Sequence, residues 1–162
     1  MTKKLKIITD SDPRLRKVSE ELELSRIKDE DIQKLLQEME LAIEENNGLG
    51  LAAPQIGENI RIVVMKEGEK FLHLINPKIT KRSWAKELDE EGCLSVPDCY
   101  GQVLRNKKIN YLYRDKEGKK IKARAKGLIS RVIQHEIDHL DGILFVDKAS
   151  NKRKAKDESA SS

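Results

Sequence analysis

The pattern of apolar and polar positions predicts one amphipathic helix in the first third of the chain and a more apolar helix near its end. In "KDEDIQKLLQEMELAIEENNG" the apolar residues recur at the spacing of one helix face. They are Ile32, Leu35, Leu36, Met39 and Ile43. Asp29 is placed to cap the first turn, and "NNG" ends the helical pattern. In "GLISRVIQHEIDHLDG" apolar residues lie on more than one face, which predicts a buried helix.

Between these helices the pattern becomes alternating and predicts short strands. "RIVVM" and "FLHLINP" are apolar runs bounded by charged residues, Gly or Pro. "KINYLYRDKEGKKIKARAKG" alternates Ile109, Tyr111 and Tyr113 with polar residues, turns at residues 116–118 and returns, which predicts a hairpin. We expect Trp84 to lie in the core. Strands followed by a late buried helix, without regular strand–helix alternation, favour an α+β fold over a doubly wound one.

Length and composition favour a single domain. A chain of 162 residues can bury one site and its supporting residues, and we predict one domain over residues 1–148. Residues 149–162 are basic and lack apolar periodicity, so we predict a solvated, disordered tail. The apolar stretch in the first residues, "MTKKLKIITD", is too short for the core of a signal peptide. No apolar run approaches the roughly 18 residues needed to cross a bilayer. We therefore expect a cytoplasmic protein with no membrane partner.

Charged residues are abundant and unevenly placed. The formal net charge is +4, from 32 Lys and Arg against 28 Asp and Glu. Residues 20–45 carry ten acidic and three basic side chains, whereas residues 105–126 carry ten basic and two acidic ones. One surface of the protein should therefore be acidic, and another, which includes the predicted hairpin, should be strongly basic.

The sequence "QHEIDHLDG" (residues 134–142) contains the clearest candidate for chemistry. On a helix, His135 and His139 project from one face a turn apart and can bind the same metal ion. Glu136 lies about a hundred degrees round the helix and can reach a water bound to that ion. Alternatively, the two histidines are four apart by chance and bond to backbone. Burial favours the metal site, because these groups are costly on an apolar helix unless something binds them.

Two histidines do not hold a catalytic metal ion, so a third ligand is needed. Only 23 residues follow His139 and none of them is His, which directs attention upstream. His73, in the predicted strand "FLHLI", is as consistent with an ordinary strand residue as with a ligand. Cys93 in "EEGCLSVP" is better placed, because Gly92 allows close approach of the chain and a thiolate suits zinc or ferrous iron. The competing interpretation is that Cys93 is a small buried residue with no ligand role. The presence of Cys93 and Cys99 together is little evidence for a disulfide.

Three stretches together resemble the peptide deformylase family. They are "GLGLAAPQ" (residues 48–55), "EGCLS" (residues 91–95) and "QHEIDHLDG", in the family's order. The resemblance extends less tightly over residues 4–148. It implies a hydrolase that removes the formyl group from the N-terminal formylmethionine of newly synthesised polypeptides. It also implies an α+β fold in which antiparallel β-sheets pack around a buried C-terminal helix that carries the HExxH motif and binds the metal.

Carried over by position, the resemblance implies the ligands Cys93, His135 and His139 and the general base Glu136. One divalent metal ion per chain is expected, Fe²⁺ in the first place, with Zn²⁺, Ni²⁺ or Co²⁺ as alternatives. Such an ion lowers the pKa of its bound water from 15.7 towards roughly 7, which supplies a nucleophile strong enough for a stabilised formamide. Glu136 would accept the proton and deliver it to the leaving amine.

The resemblance also implies groups that hold the substrate. The side-chain amide of Gln55 and the backbone N–H of Leu94 would stabilise the oxyanion. The backbone of the Gly-rich turn would pair with an extended N-formylmethionyl peptide, and an apolar pocket would take the methionine side chain. The substrate-binding positions are Gly48, Leu49, Gly50, Leu128 and Val132.

Two other functions fit part of the sequence. A protease of the HExxH type is disfavoured, because its third ligand usually comes from downstream of the motif and no histidine follows His139 in this chain. A non-enzymatic RNA- or ribosome-binding module would use the basic hairpin and tail around a structural metal. Structural zinc sites usually have four protein ligands, however, and a fourth candidate is not evident. In the enzyme, any ribosome contact through the basic segments should be electrostatic and weak, and no DNA partner is expected.

Arg131 lies one helical turn before the first histidine of the motif. If it is buried it needs an acidic partner, for which Asp89, Glu90 and Glu91 are the candidates. An exposed arginine would need none, and the sequence leaves both arrangements open.

Overall fold

The structure is a computed structural model that describes residues 3–155. Two helices and eight strands form within this range. In chain order they are α1 (Glu30–Glu45), β1 (Gly50–Ala52), β2 (Ile62–Glu67), β3 (Lys70–Arg82), β4 (Lys86–Cys93), β5 (Val96–Asn106), β6 (Lys108–Arg114), β7 (Lys120–Lys126), α2 (Gly127–Leu140) and β8 (Ser150–Lys154). Short 3₁₀ helices cover Pro13–Arg16, Leu24–Arg26, Ala53–Ile56 and Phe145–Asp147.

The strands form two antiparallel sheets. The larger sheet has the order β1-β2-β3-β6-β7 and the smaller one the order β4-β5-β8. The predicted α+β fold with antiparallel sheets and a C-terminal helix is confirmed. Within residues 3–155 no helix is long and apolar enough to cross a membrane.

The two helices pack on opposite faces of the larger sheet. Ile62 and Val64 of β2 belong to the core that includes α1, whereas the alternate residues Val63 and Met65 belong to the core that includes α2. Because successive side chains of a strand point to opposite faces, β2 is buried on both sides, which explains its unbroken apolar run.

The hairpin of β6 and β7 has the alternating pattern that the sequence predicts. Ile109, Tyr111 and Tyr113 pack in the core on the α2 side. The residues between them, and the lysines of β7, point to the other face. The predicted first helix is also confirmed, with Asp29 at the N-cap position although its side chain makes no capping hydrogen bond to the residues described.

The local order of elements brings three motifs together. β4 ends at Cys93, and the chain turns at once into β5. α2 follows β7 directly and contacts β1, β2 and β5, so its buried face meets both the Gly-rich segment and the β4–β5 turn. The helix that carries the HExxH motif thus contacts strands of both sheets.

Two predictions from the sequence are wrong. Trp84 is 98% exposed in the connection between β3 and β4, rather than in the core. Ser150–Lys154 of the predicted disordered tail form β8, which pairs with β5 through Cys99 and Tyr100. This pairing satisfies backbone groups at a sheet edge and needs no apolar alternation. Residues 156–162 of the tail lie outside the described residues.

Candidate metal centre

Three potential metal ligands converge at the junction of β4 and α2. The ligand atoms of Cys93, His135 and His139 all lie within 4.8 Å of one another. Cys93 Sγ is 3.3 Å from His139 Nε2, and the two imidazole rings are 5.0 Å apart at an angle of 73°. This convergence follows from the i,i+4 spacing on the helix and from the end of β4, which brings the thiol to the same point.

The ring of His135 is held from both sides. Its Nδ1 lies 2.8 Å from Oε1 of Glu91, which leaves Nε2 for the site. The ring of the fully buried Phe145 stacks on it at 6.2 Å. A carboxylate on the second nitrogen of a ligand histidine fixes its orientation and raises its basicity, as in many metal sites.

Glu91 connects this histidine to two buried arginines. Its carboxylate accepts two hydrogen bonds of 2.9 Å from Arg105 and one of 2.6 Å from Arg131. Arg131 is therefore buried, and Glu91 is the acidic partner among the three candidates. Burial acts to raise the pKa of Glu91, but hydrogen bonds from His135 and Arg105 outweigh it and hold the pKa below its usual value. Arg105 also bonds Asp138 of α2 at 2.5 Å.

Glu136 is buried beside the converging ligands. Burial raises its pKa to about 7; the charges of His135 and Arg105 act to lower the pKa, and that of Glu91 acts to raise it. Its Oε2 atom is buried and has no hydrogen-bond partner within residues 3–155. Because an unpaired buried carboxylate oxygen is costly, this atom is placed to meet a ligand or reacting group.

The two histidines differ in their affinity for protons. Burial lowers the pKa of His135, but interactions with Cys93 and Glu91 outweigh it and raise the pKa to about 10. Burial and the charge of His135 lower the pKa of His139 well below its ordinary value. A metal ion competes with a proton for the same nitrogen lone pair, so a metal ion held by His135 would displace that proton.

The residues present fit a catalytic divalent metal. One thiolate and two imidazoles form the borderline-soft donor set that suits zinc or ferrous iron. Three protein ligands, with one position left for water or substrate, distinguish catalytic zinc sites from structural ones. His73, the other ligand candidate, pairs instead with Glu40 of α1, with 2.5 Å between Nε2 and Oε1.

An open cavity of ≈ 520 Å³ lies beside this centre. Every predicted site residue except His139, which is buried behind it, lines the cavity. The lining members are Gly48, Leu49, Gly50, Gln55, Cys93, Leu94, Leu128, Val132, His135 and Glu136. Leu49 and Leu128 are 51% and 59% exposed, while Val132 is buried. The cavity thus offers an apolar surface next to the candidate metal ligands.

The side chain of Gln55 is oriented towards the centre. Its Oε1 accepts the backbone N–H of Ala52 at 2.9 Å, which fixes the amide. Its Nε2 lies 3.2 Å from Ser95 Oγ and 3.5 Å from Cys93 Sγ. An N–H donor is therefore directed at the region where the three ligands meet, and Leu94 lies in the adjacent turn.

The structure adds residues that the sequence alone did not assign. Arg105 completes the Glu91 network, and Glu90, Cys99 and Tyr100 also line the cavity. An arginine in a strand has no spacing relation to a metal motif, so only the pairing of β4 with β5 reveals Arg105. Both cysteines are free, as expected.

Comparison with known proteins places this chain in a family. The family model for polypeptide deformylase matches residues 4–155. The peptide deformylase of Pelotomaculum thermopropionicum is 48% identical over 77% of this chain and 80% of its own length. The chain belongs to the polypeptide deformylase family and is therefore an enzyme of the hydrolase class.

Solved structures agree with this assignment. A probable peptide deformylase from Synechococcus phage S-SSM7 superposes with a TM-score of 0.84 at 47% identity, over 89% of this chain and 99% of that one. A class I type b peptide deformylase from Acinetobacter baumannii, bound to Met-Ala-Ser, gives a TM-score of 0.87 at 30% identity, over 91% and 99% of the two chains.

Proposed function

We propose that this protein is a metal-dependent hydrolase that removes the formyl group from the N-terminal formylmethionine of newly synthesised polypeptides. The observation that carries the proposal is the convergence of Cys93, His135 and His139 beside the buried carboxylate of Glu136. The assignment to the deformylase family supports the substrate, and the adjoining cavity supports access for a peptide.

One divalent metal ion per chain would be held by Cys93, His135 and His139. Fe²⁺ is the expected ion, with Zn²⁺, Ni²⁺ or Co²⁺ as alternatives that the same donors accept. When bound, such an ion supplies Lewis acidity: it lowers the pKa of a coordinated water towards roughly 7 and polarises a carbonyl oxygen.

Glu136 would act as the general base and then as the general acid. Its carboxylate accepts a proton from the attacking water and delivers it to the amine as the bond between the formyl carbon and nitrogen breaks. The products are formate and a peptide with a free amino terminus. Proton transfer by a positioned carboxylate contributes typically 10²- to 10⁴-fold to the rate. The buried, unpartnered Oε2 atom supports this role.

Two donors would stabilise the charge that develops on the formyl oxygen. The side-chain N–H of Gln55 is already directed at the centre, with its other end fixed by Ala52. The backbone N–H of Leu94, next to Cys93, would supply the second hydrogen bond. Removing one such donor costs roughly 10²- to 10³-fold in rate.

The substrate would enter with its methionine first. The Acinetobacter baumannii relative binds Met-Ala-Ser, a peptide with methionine at its amino end. In this chain the methionine side chain would contact Leu49, Leu128 and Val132, which give the cavity an apolar part. The backbone of the Gly48–Gly50 segment would pair with the extended peptide.

Newly synthesised polypeptides meet this enzyme as they leave the ribosome. We therefore include in the proposal a weak electrostatic contact with the ribosome in the cytoplasm, made by a basic surface of the protein. Such contacts weaken steeply as salt rises, because phosphate counterions must be displaced.

The substrate assignment is tested with three matched peptides: formyl-Met-Ala, acetyl-Met-Ala and unblocked Met-Ala. The anaerobically purified protein should release formate from the first and leave the other two intact. Its metal content should be measured on the same sample. Cleavage of the Met-Ala bond in the unblocked peptide would instead support the HExxH protease, and no turnover of any peptide by metal-loaded protein would contradict the proposal.

A further inference from the structure

The face of the larger sheet that points away from α2 carries a dense set of basic side chains on β3, β6 and β7. Ile109, Tyr111 and Tyr113 occupy the α2 side, so the residues between them point to the opposite face. The strand registers place the neighbouring basic residues on this same face. This basic sheet face consists of Lys78, Lys81, Lys108, Arg114, Lys120, Lys122, Arg124 and Lys126.

The basic sheet face contains like charges directly opposite one another. Lys108 pairs in register with Lys126, and Arg114 with Lys120. Opposed like charges destabilise a strand pair. In the part of the chain that the structure describes, no salt bridge joins any of the eight residues to an acidic side chain. The repulsion is therefore not relieved within residues 3–155, and an anionic partner would relieve it.

A groove on this part of the sheet is separate from the catalytic cavity. It has a volume of ≈ 560 Å³ and shares no lining residue with the cavity beside the metal centre. Its polar lining is Lys81, Ser83, Lys108, Asn110, Arg124 and Lys126. A partner bound here leaves the entrance to the candidate active site open.

The spacing of the charges suits an extended polyanion. The four basic residues of β7 are alternate residues of one strand, so neighbours on this face are about 6.6–6.8 Å apart and the row is roughly 20 Å long. A nucleic acid strand presents one phosphate charge per nucleotide in a comparable linear array. Isolated anions such as a single carboxylate would use only one or two of these side chains.

The acidic helix sets a boundary to the basic sheet face. Ile75, which packs in the core with α1, lies opposite Arg114, so α1 and the basic sheet face are on the same side of the sheet. The exposed acidic residues Glu30, Asp31, Glu44 and Glu45 of α1 would repel a phosphate chain. A polyanion is thereby confined to the β3-β6-β7 end.

An anionic membrane fits this surface less well than a nucleic acid. Among the residues that the registers place on the face, Leu112 is apolar and only half-exposed. Proteins that lie on membranes usually bury an apolar face in addition to their basic residues. Basic residues with so little exposed apolar surface between them favour a phosphate backbone.

We infer that the basic sheet face binds the phosphate backbone of RNA. Its assignment to ribosomal RNA rests on the proposed function, because an enzyme that meets emerging chains works beside that RNA. RNA binding itself is independent of catalysis and is measured separately. Failure of the two proposals is therefore distinguishable.

The test uses the full-length, metal-loaded protein and a fluorescent single-stranded RNA of mixed sequence in anisotropy titrations at several salt concentrations. The triple variant Lys108→Gln/Lys122→Gln/Arg124→Gln removes three charges from the face. We expect roughly tenfold weaker binding at low salt. The slope of log K against log salt should be smaller by about 2, because each neutralised phosphate of a single strand accounts for roughly 0.7 of that slope. Hydrolysis of formyl-Met-Ala should be unchanged.

A matched control removes the same charge elsewhere. The variant Lys4→Gln/Lys6→Gln/Lys17→Gln changes exposed lysines away from the sheet face and should bind RNA as the unmodified protein does. The conservative variant Lys108→Arg/Lys122→Arg/Arg124→Lys should also retain binding. If the first triple variant does not fold, Lys122→Gln alone should reduce the slope by about 0.7.

Three results would overturn the inference. One is equal RNA affinity for the two triple Gln variants, which would make the binding a property of net charge alone. Another is the absence of RNA binding by the unmodified protein at low salt. The third is binding to phosphatidylserine vesicles without binding to RNA, which would assign the face to a membrane.

Discussion

At the residue scale, the position of Glu136 depends on the absence of a side chain at Gly50. A Cβ atom added to Gly50 would lie 3.0 Å from Glu136 Oε1 and 3.1 Å from its Cγ. Contacts this close require the carboxylate to move. We therefore expect the missing side chain at Gly50 to matter for the position of Glu136 as well as for the approach of a substrate backbone.

The substitution Gly50→Ala should displace the Glu136 side chain by a few tenths of an ångström. It should reduce kcat by up to roughly 10-fold, less than the roughly 10²-fold that a misplacement of about 1 Å can cost. Metal content should remain near one ion per chain, because the three ligands are unaffected. Gly48→Ala is the control: its Cβ would meet Leu94 at 3.4 Å, an ordinary contact, so a smaller effect is expected. Equal losses in the two variants would show that the Glu136 contact is not the cause.

Removal of the Glu136 carboxylate itself should separate catalysis from metal binding more clearly than Gly50→Ala. Glu136→Ala should retain the metal ion, because Cys93, His135 and His139 remain, but should lose roughly 10²- to 10⁴-fold in kcat with the loss of proton transfer. His139→Ala, in contrast, should lose metal and activity together. Turnover and metal content measured on the same samples check both. Near-normal turnover by Glu136→Ala would remove it from the mechanism.

At the scale of secondary-structure elements, Glu91 joins β4 to β5 and α2 through Arg105, Arg131 and His135. It is buried in the interior and satisfies the charges of the two arginines. Loss of its charge therefore acts on folding and on the orientation of a metal ligand at once.

Glu91→Gln should lower metal affinity by roughly 10- to 100-fold. It should also lower the free energy of unfolding by about 1–3 kcal/mol, because buried charged partners lose their counter-charge. Competition with a chelator measures the first effect and urea denaturation the second. Asp89→Asn is the matched control on the same strand, since Asp89 is exposed and, among residues 3–155, accepts a hydrogen bond only from the N–H of Glu90. Unchanged metal affinity in Glu91→Gln would show that His135 needs no orienting carboxylate.

The C-terminal strand β8 holds one wall of the cavity. Arg153 donates two hydrogen bonds to Glu90 Oε1, at 3.0 and 2.5 Å, and its guanidinium lies 5.1 Å from the centre of the Tyr100 ring. Both Glu90 and Tyr100 line the cavity. We therefore expect this strand to influence how a peptide longer than formylmethionine binds in the cavity.

Arg153→Ala should raise KM for formyl-Met-Ala-Ser up to about fivefold, consistent with less than about 1 kcal/mol for a partly exposed ion pair. It should leave kcat unchanged and have less effect on a formylmethionine amide that has no later residues. Lys152→Ala, on the same strand and exposed, is the control. Equal changes in KM for the long and short substrates would contradict this role.

In the molecule as a whole, the features that depend on local spacing and alternation could be predicted from the sequence, whereas the contacts between elements could not. The i,i+4 pair of His135 and His139 and the alternation of Ile109, Tyr111 and Tyr113 depend on local geometry, so the sequence shows them directly. The Glu91–Arg105 pair depends on the register of β4 with β5, which no local pattern encodes.

The two incorrect predictions, for the C-terminal tail and for Trp84, also concern features that depend on contacts between elements. β8 forms because the edge of β5 offers backbone hydrogen bonds. Backbone pairing does not depend on side-chain type, so the sequence "SNKRK" gives no sign of it. Trp84 is exposed because it lies in a connection between strands, where residue type is a weak guide to burial.

We propose that one metal ion, held by the three converging ligands, is what gives this chain deformylase activity. The direct measurement is formate release from formyl-Met-Ala while metal-depleted protein is titrated anaerobically with Fe²⁺. Activity should start near zero, rise linearly and stop rising at one equivalent per chain. Activity that does not depend on added metal, or that rises only beyond one equivalent, would contradict the account.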